Sequence, residues 1–206
     1  MEIVQVWEII EAAGWPIWPL IATSIYGFAI ILERAWSLRS EKVMPSNLVD
    51  SVNQMIKQRS FKVENLDTLK GSSPFGEIIY SALKNKNASL EVLKDSIEES
   101  SGLVAHKLET NINALGTIST VAPLLGLFGT IVGMVELFSS FTSSGHDVAI
   151  FARGISVALY NTAGGIVVAV PAMIAFRYYR SKVENFLNEM QIQTIAIIET
   201  ARGERS

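Results

Sequence analysis

Cysteine is absent from the 206-residue chain, and histidine occurs only as His106 and His146. The first absence excludes disulfides and thiolate chemistry. The second leaves too little to build a His-based metal centre or a Ser–His pair at one membrane depth. Charge is missing in a more telling way. No Asp, Glu, Lys or Arg occurs from Ala12 to Leu32, from Thr110 to Val135, or from Gly154 to Phe176. Each of these runs exceeds the roughly 18 apolar residues that make a membrane helix the default reading. A run of about 23 residues reaches ~34 Å at helical rise, enough for a hydrocarbon core of ~30 Å with some tilt. Buried helices of a soluble core are the alternative, but so short a chain has too little amphipathic sequence to cover three of them.

The first run is preceded by Glu2, Glu8 and Glu11 without a base, and it ends in Leu32-Glu33-Arg34 without a small-residue cleavage pattern. It therefore reads as a retained helix rather than a signal peptide. Lys and Arg set orientation by remaining on the cytoplasmic side. None precedes the first run; Arg34, Arg39 and Lys42 follow it; only Arg153 lies between the second and third; Arg177, Arg180 and Lys182 follow the third. The expected topology has the N-terminus outside, a long inner loop, a short outer loop near Leu137 to Ala152, and the C-terminus inside. Trp15, Trp18 and Trp36 flank the first run, and Tyr178 and Tyr179 close the third, at positions suited to interfacial rings.

These features predict an all-α membrane protein with three transmembrane helices and long cytoplasmic helical extensions. Its segments are an outer N-terminus and first span (1–36), a cytoplasmic helical region (37–110), a second span (111–138), an outer loop (139–153), a third span (154–179) and a cytoplasmic C-terminal helix (180–206). In the cytoplasmic region Leu48, Val52, Met55 and Ile56 have helical spacing, Lys70-Gly71-Ser72-Ser73-Pro74 interrupts it, and Phe75, Ile78, Ile79, Ala82 and Leu83 resume it. Ser89 is expected to cap a helix with Leu90, Leu93, Ile97, Val104 and Leu108 on one stripe. No breaker separates that stripe from the second run, so a single helix leaving the membrane is expected. Val183, Phe186, Leu187, Met190, Thr194, Ile197 and Ile198 extend the third run in the same way.

Within the second run Gly126, Gly129 and Gly133 share one side; within the third, Ala158, Thr162, Gly165, Ala169 and Ala172 do. Small residues at this spacing allow helix backbones to approach closely. Asn161 is costly to leave facing hydrocarbon, and Thr120, Thr130 and Thr162 also need satisfied hydroxyls. Two readings stay open for the threonines: hydroxyls bonded to their own helix as packing elements, or groups facing a polar path. Pro123 and Pro171 each remove a backbone hydrogen bond and can kink their helices, which reads as architecture. Glu136, at the outer end of the second run, is either a solvated interfacial carboxylate or a functional one.

The run Ala122-Pro123-Leu124-Leu125-Gly126-Leu127-Phe128-Gly129-Thr130-Ile131-Val132-Gly133-Met134 closely resembles the signature of the ExbB/TolQ/MotA family of proton-channel subunits. Gly154-Ile155-Ser156-x-Ala158-Leu159, with Thr162-Ala163-x-Gly165 and Val170-Pro171-Ala172, resembles that family's second signature. The small cytoplasmic loop is similar to that of the ExbB/TolQ branch. The resemblance implies a bacterial inner-membrane subunit with a periplasmic N-terminus and cytoplasmic C-terminus, forming a homopentamer around two copies of an ExbD/TolR-like partner. That partner carries one membrane helix with an Asp and a periplasmic domain. Protons are the implied coupling ion, with no cofactor or metal, and proton flow through the interface would drive work or transport at the envelope. Thr130 and Thr162 match the family's pore-facing threonines. The family usually has Glu where this chain has Val157, so a carboxylate must come from the partner, with Thr130, Thr162, Asn161, Tyr160 and Ser156 orienting water or accepting a hydrogen bond. The alternative is a passive membrane scaffold that anchors a partner without proton flux. An enzyme is not expected, and a net charge of −3 with scattered basic residues offers no nucleic-acid signature.

Overall fold

The computed structural model describes residues 2–57, 68–139, 141–142, 145–146 and 148–202. The chain separates into two compact units, one made of Met1–Leu32 and Asn111–Arg177, the other of Glu33–Thr110 and Tyr178–Ser206.

The first unit holds the three apolar runs. Helix α1 (Glu2–Ala13) ends at Gly14, whose φ of +71° lets the chain turn sharply before Pro16. Helix α2 (Ile17–Ser37) begins there, with Pro19 in its first turn, where no intrahelical N–H partner is needed. Helix α7 (Ile112–Ser139) contains Pro123, and α8 (Val148–Arg202) contains Pro171. A two-residue antiparallel pairing of Phe141–Thr142 with Gly145–His146 joins them. Helices α2, α7 and α8 are each long and apolar enough to cross a membrane. Their packing centres on Ala13, Ile17, Leu20, Ala122 and Ala169. Much of the remaining apolar surface, including Ile25, Leu124, Ile131 and Val167, is exposed, as expected where the solvent is hydrocarbon.

The second unit comprises α3 (Ser40–Val43), α4 (Ser46–Lys57), α5 (Pro74–Lys84), α6 (Leu90–Glu109) and the distal part of α8. Its apolar stripes behave as ordinary amphipathic faces. Val52, Phe75, Ile78, Ile79, Ala82, Leu83, Leu93, Ile97 and Val104 are buried, together with Val183, Phe186, Met190, Ile197 and Ile198 from α8. Ser73 Oγ accepts from Gly76 N at 3.0 Å and Ser89 Oγ from Val92 N at 3.3 Å, so both serines are N-caps. Arg202 closes the far end of α8 by donating to the Lys86 and Ala88 carbonyls, each at 2.8 Å.

Three expectations need correction. The stripe on α6 does not continue into the second span: α6 ends at Glu109, and Asn111 takes a left-handed φ of 65° before α7 starts. Asn tolerates that conformation better than most residues. The buried Arg34 guanidinium, held by Glu33 at 2.6 and 2.7 Å, donates to the Leu108 carbonyl at 3.0 Å, satisfying a group the helix end releases. Leu90 is exposed rather than part of the buried stripe, and Tyr179 is buried whereas Tyr178 is exposed. The third run does extend without interruption as α8. Residues 203–206 of the expected C-terminal helix, and residues 140, 143, 144 and 147 of the expected outer loop, lie outside the described residues, as does the side chain of His146.

Candidate functional site: the crossing of α7 and α8

The small residues singled out from the sequence bring two helix backbones into contact. A Cβ placed on Gly133 would lie 2.5 Å from the Gly154 carbonyl oxygen and 2.7 Å from Ala158 N; one on Gly165 would lie 2.8 Å from the Ala122 oxygen; one on Gly126, 2.9 Å from the Asn161 oxygen. At Gly129 it would collide with the Asn161 side chain. No larger residue fits along this seam, whose contact replaces the hydrophobic drive that lipid does not supply.

Around the seam the polar residues divide into two groups. Thr130 is half-buried and donates from Oγ1 to the Leu127 carbonyl at 2.6 Å; Thr162 is exposed and donates to the Ala158 carbonyl at 3.0 Å. Gly126 lies one turn before Thr130, and its Cβ position falls 3.3 Å from Thr162 Cα, so the two threonines occupy neighbouring turns of the crossing. Ser156, half-buried, donates to the Ala152 carbonyl at 3.0 Å, and Tyr160 is 39% exposed. Every one of these aliphatic hydroxyls spends its proton on its own helix. Each retains oxygen lone pairs for an outside donor, so the helix-bonded geometry and an accepting role coexist.

Asn161 belongs to the other group. It was expected beside the threonines on a polar path, but the structure buries it completely. Its amide donates to the Ala13 carbonyl at 2.7 Å and to the Val157 carbonyl at 2.8 Å, and its Oδ1 has no hydrogen-bond partner. Val157, only 1% exposed, packs one turn away beneath the Gly14 turn, 3.5 Å from the Cβ position of Gly14. Trp15 completes this lid with an edge-on contact to Phe128 at 5.8 Å between ring centroids. The position where the resembling family carries Glu is therefore inside this chain's own packing. The physical reason is that Asn161 satisfies the carbonyl at the end of α1 and draws the Ala13–Trp15 turn over Val157.

At the other end of the seam's helices, Glu136 and Arg153 approach to 3.7 Å, both partly solvent-exposed. An exposed pair at that distance contributes little to stability. The two prolines are exposed, and Pro171 borders a cavity of about 130 Å³ lined by Ser24, Gly27 and Phe28 of α2 among others. Among the described residues no group of three or more His, Asp or Glu side chains is placed to hold a metal ion.

One feature of the site escaped the sequence reading. Asn113, Thr117 and Thr120 lie four and then three residues apart on α7 and, with Met173, Phe176 and Arg177 of α8, line an open groove of about 470 Å³. Gly116 allows Phe176 to lie against α7, since a Cβ there would be 3.1 Å from its ring. The i, i+4, i+7 spacing of polar residues at the start of the second run was the available signal.

The model of the MotA/TolQ/ExbB proton channel family matches residues 70–192, which include the whole α7–α8 crossing. A Synechocystis protein named as ExbB-like in biopolymer transport is 30% identical over 192 residues, covering 90% of this chain and 86% of its own. A Methanothermobacter thermautotrophicus protein named as an ExbB homologue is 27% identical over 186 residues, covering 90% of this chain; the chain spans 66% of that relative, just under two thirds. The biopolymer transport protein exbB1 of Vibrio cholerae is 24% identical over 171 residues, 79% of this chain and 74% of its own. With the glycine seam and the two threonines of the α7–α8 crossing inside the matched region, the chain belongs to the MotA/TolQ/ExbB proton channel family.

Proposed function

We propose that this chain is the proton-channel subunit of an inner-membrane motor of the ExbB/TolQ-like branch. Five copies surround two single-span ExbD/TolR-like partners, with the N-terminus periplasmic and the C-terminus cytoplasmic. Proton motive force is converted by that complex into work or transport at the envelope. The observation that carries this reading is the pairing of the hydroxyl oxygens of Thr130 and Thr162 with a complete lack of Asp, Glu, Lys, Arg and His on the surrounding helix segments. Such a wall accepts hydrogen bonds but cannot hold a proton at mid-membrane, so it suits a carboxyl group brought by a second polypeptide. Thr162 and Thr130 then accept from that carboxylic acid or from water beside it, while Ser156 and Tyr160 extend the polar lining. Asn161 has a different part in this scheme: it fixes the turn that closes over Val157 and keeps that position off the path. One charge crossing 100 mV releases about 2.3 kcal/mol, enough to bias one conformational step but not to move a large load alone.

Vesicles containing the chain with its co-purified partner test this. Proton uptake is expected under an imposed potential and is expected to vanish with Thr162→Val or with the partner's Asp changed to Asn, while the complex still assembles. The second reading, a passive scaffold, is favoured by the sealed, uncharged Val157. It prevails if the intact complex takes up no protons above empty vesicles, whereas unchanged uptake in Thr162→Val reduces that threonine to packing.

A further inference from the structure

The open groove where the second run begins and the third ends is amphipathic, and its polar side is made of donors that the chain leaves unused. Asn113 and Arg177 are both exposed on its walls. Among the described residues neither side chain has a hydrogen-bond or ion-pair partner. Arg34, Arg153 and Arg180, by contrast, each meet a carboxylate, of Glu33, Glu136 and Glu184 respectively. The sequence explains the difference. No acidic residue occurs on α7 before Glu136, ~34 Å along the helix from Asn113, and Glu184 on α8 is already taken by Arg180. Thr117 and Thr120 spend their protons on carbonyls of their own helix, at 3.1 and 2.9 Å, and bring no negative charge. The apolar side of the groove is Met173, exposed one turn before Arg177, and Phe176, whose ring lies against α7 at Gly116.

We propose that this groove binds the phosphate of an anionic glycerophospholipid, with Arg177 and Asn113 holding the phosphate oxygens and Met173 bordering the start of an acyl chain. A guanidinium presents its N–H groups as a planar fork that matches two phosphate oxygens, and the Asn113 amide adds a further donor. A phosphodiester has only acceptor oxygens and a negative charge, so it satisfies both side chains at once. A lipid suits the place better than free phosphate does. The groove lies where two charge-free runs end, at headgroup level, and only a lipid also covers Met173. Basic pockets between membrane helices are a general setting for such recognition. The site discriminates by charge: an anionic headgroup leaves its phosphate uncompensated for Arg177, whereas choline or ethanolamine brings a cation of its own. Binding does not require proton flux. Only the leaflet that supplies the lipid, the cytoplasmic one, rests on the orientation proposed above.

The test titrates the full complex, purified with its partner in mild detergent, with dioleoylphosphatidylglycerol and counts retained lipids by native mass spectrometry. The wild type is expected to retain this lipid over the phosphatidylcholine of the same chains by roughly fivefold, the weight of one interfacial cation. Arg177→Gln should abolish the preference, and Arg177→Lys should keep part of it, since the charge remains but the fork is lost. Asn113→Ala should weaken retention roughly threefold, while Arg153→Gln, at the opposite end of the spans, should change nothing. Millimolar inorganic phosphate is expected to leave the lipid in place. Equal retention of the two lipids overturns the site, as does a preference that survives Arg177→Gln. Displacement by inorganic phosphate reassigns the groove to a free anion. If Arg177→Gln instead splits the complex into subunits without altering lipid retention, the groove is a contact between chains and the lipid assignment falls. Proton uptake by the same preparation is read separately: retention through Arg177 without uptake sinks the motor reading alone, and uptake without retention sinks the lipid site alone.

Discussion

The two units of this chain solve the same packing problem by opposite means. In the bundle formed by α3 to α6 and the distal part of α8, large side chains do the work: Phe75, Ile78, Ile79 and Met190 are fully buried. Its polar ends are closed by Ser73, Ser89 and Arg202, and Lys107 pairs with Glu77 at 2.8 Å on the outside. Among the spans, the closest contact is made by residues with almost no side chain, at Gly126, Gly129, Gly133 and Gly165. Water rewards the first strategy, because removing apolar surface from it is favourable in itself. Lipid offers no such gain for apolar side chains, so backbone proximity and dispersion contacts take over.

The contrast can be broken most severely at Gly129. Gly129→Leu drives a side chain into the buried Asn161 side chain on α8. Its effect should exceed the ~5 kcal/mol of a large core truncation, seen as loss of a folded, monodisperse complex in detergent. A normal complex would mean that the seam is not the determinant of span packing. Next in size, Phe75→Ala in the bundle should cost about 3–5 kcal/mol, lowering the Tm of the purified protein while leaving the spans helical by circular dichroism. Survival of the bundle's stability would show that its core is looser than the complete burial of Phe75 implies. The smallest effect is expected at Gly102, on α6, where an added Cβ meets nothing within 4 Å. Gly102→Ala should raise stability by roughly 0.5–1 kcal/mol through helix propensity alone, a slight rise in Tm. The same Gly→Ala change at Gly133 should instead lower it, which makes the pair a direct comparison of the two environments.

How much of this was legible in the residues differs between the units for the same physical reason. In the bundle, alternation of polar and apolar positions marks the buried face, and the stripes through Phe75 to Leu83 and Leu93 to Leu108 were readable; Leu90 was misplaced because it sits at the helix start, where the face is not yet covered. In the spans both faces are apolar, so periodicity cannot tell which one meets the protein. The glycine seam was visible because small residues at i, i+3 and i+7 have one obvious use. The burial of Asn161, expected on a polar path, and of Val157, to which no face was assigned, could not be read, since only the turn at Ala13–Trp15, distant in sequence, decides that they face inward. The groove at Arg177 was missed because its walls come from two helices whose pairing no spacing rule reports.

By itself the sequence determined the helical class, the three charge-free runs, the small-residue seam and the lack of any Asp, Glu, Lys, Arg or His along it, because hydrocarbon excludes charge and close helices exclude bulk. Tertiary structure decided the rest. It broke the chain at Asn111, where Arg34 takes up a released carbonyl, and drew Asn161 and Val157 under the N-terminal turn. It also left Thr162 facing out. These outcomes depend on which backbone groups find partners across long stretches of chain, and a buried hydrogen bond in a membrane-length helix outweighs local preference because nothing else is there to satisfy it.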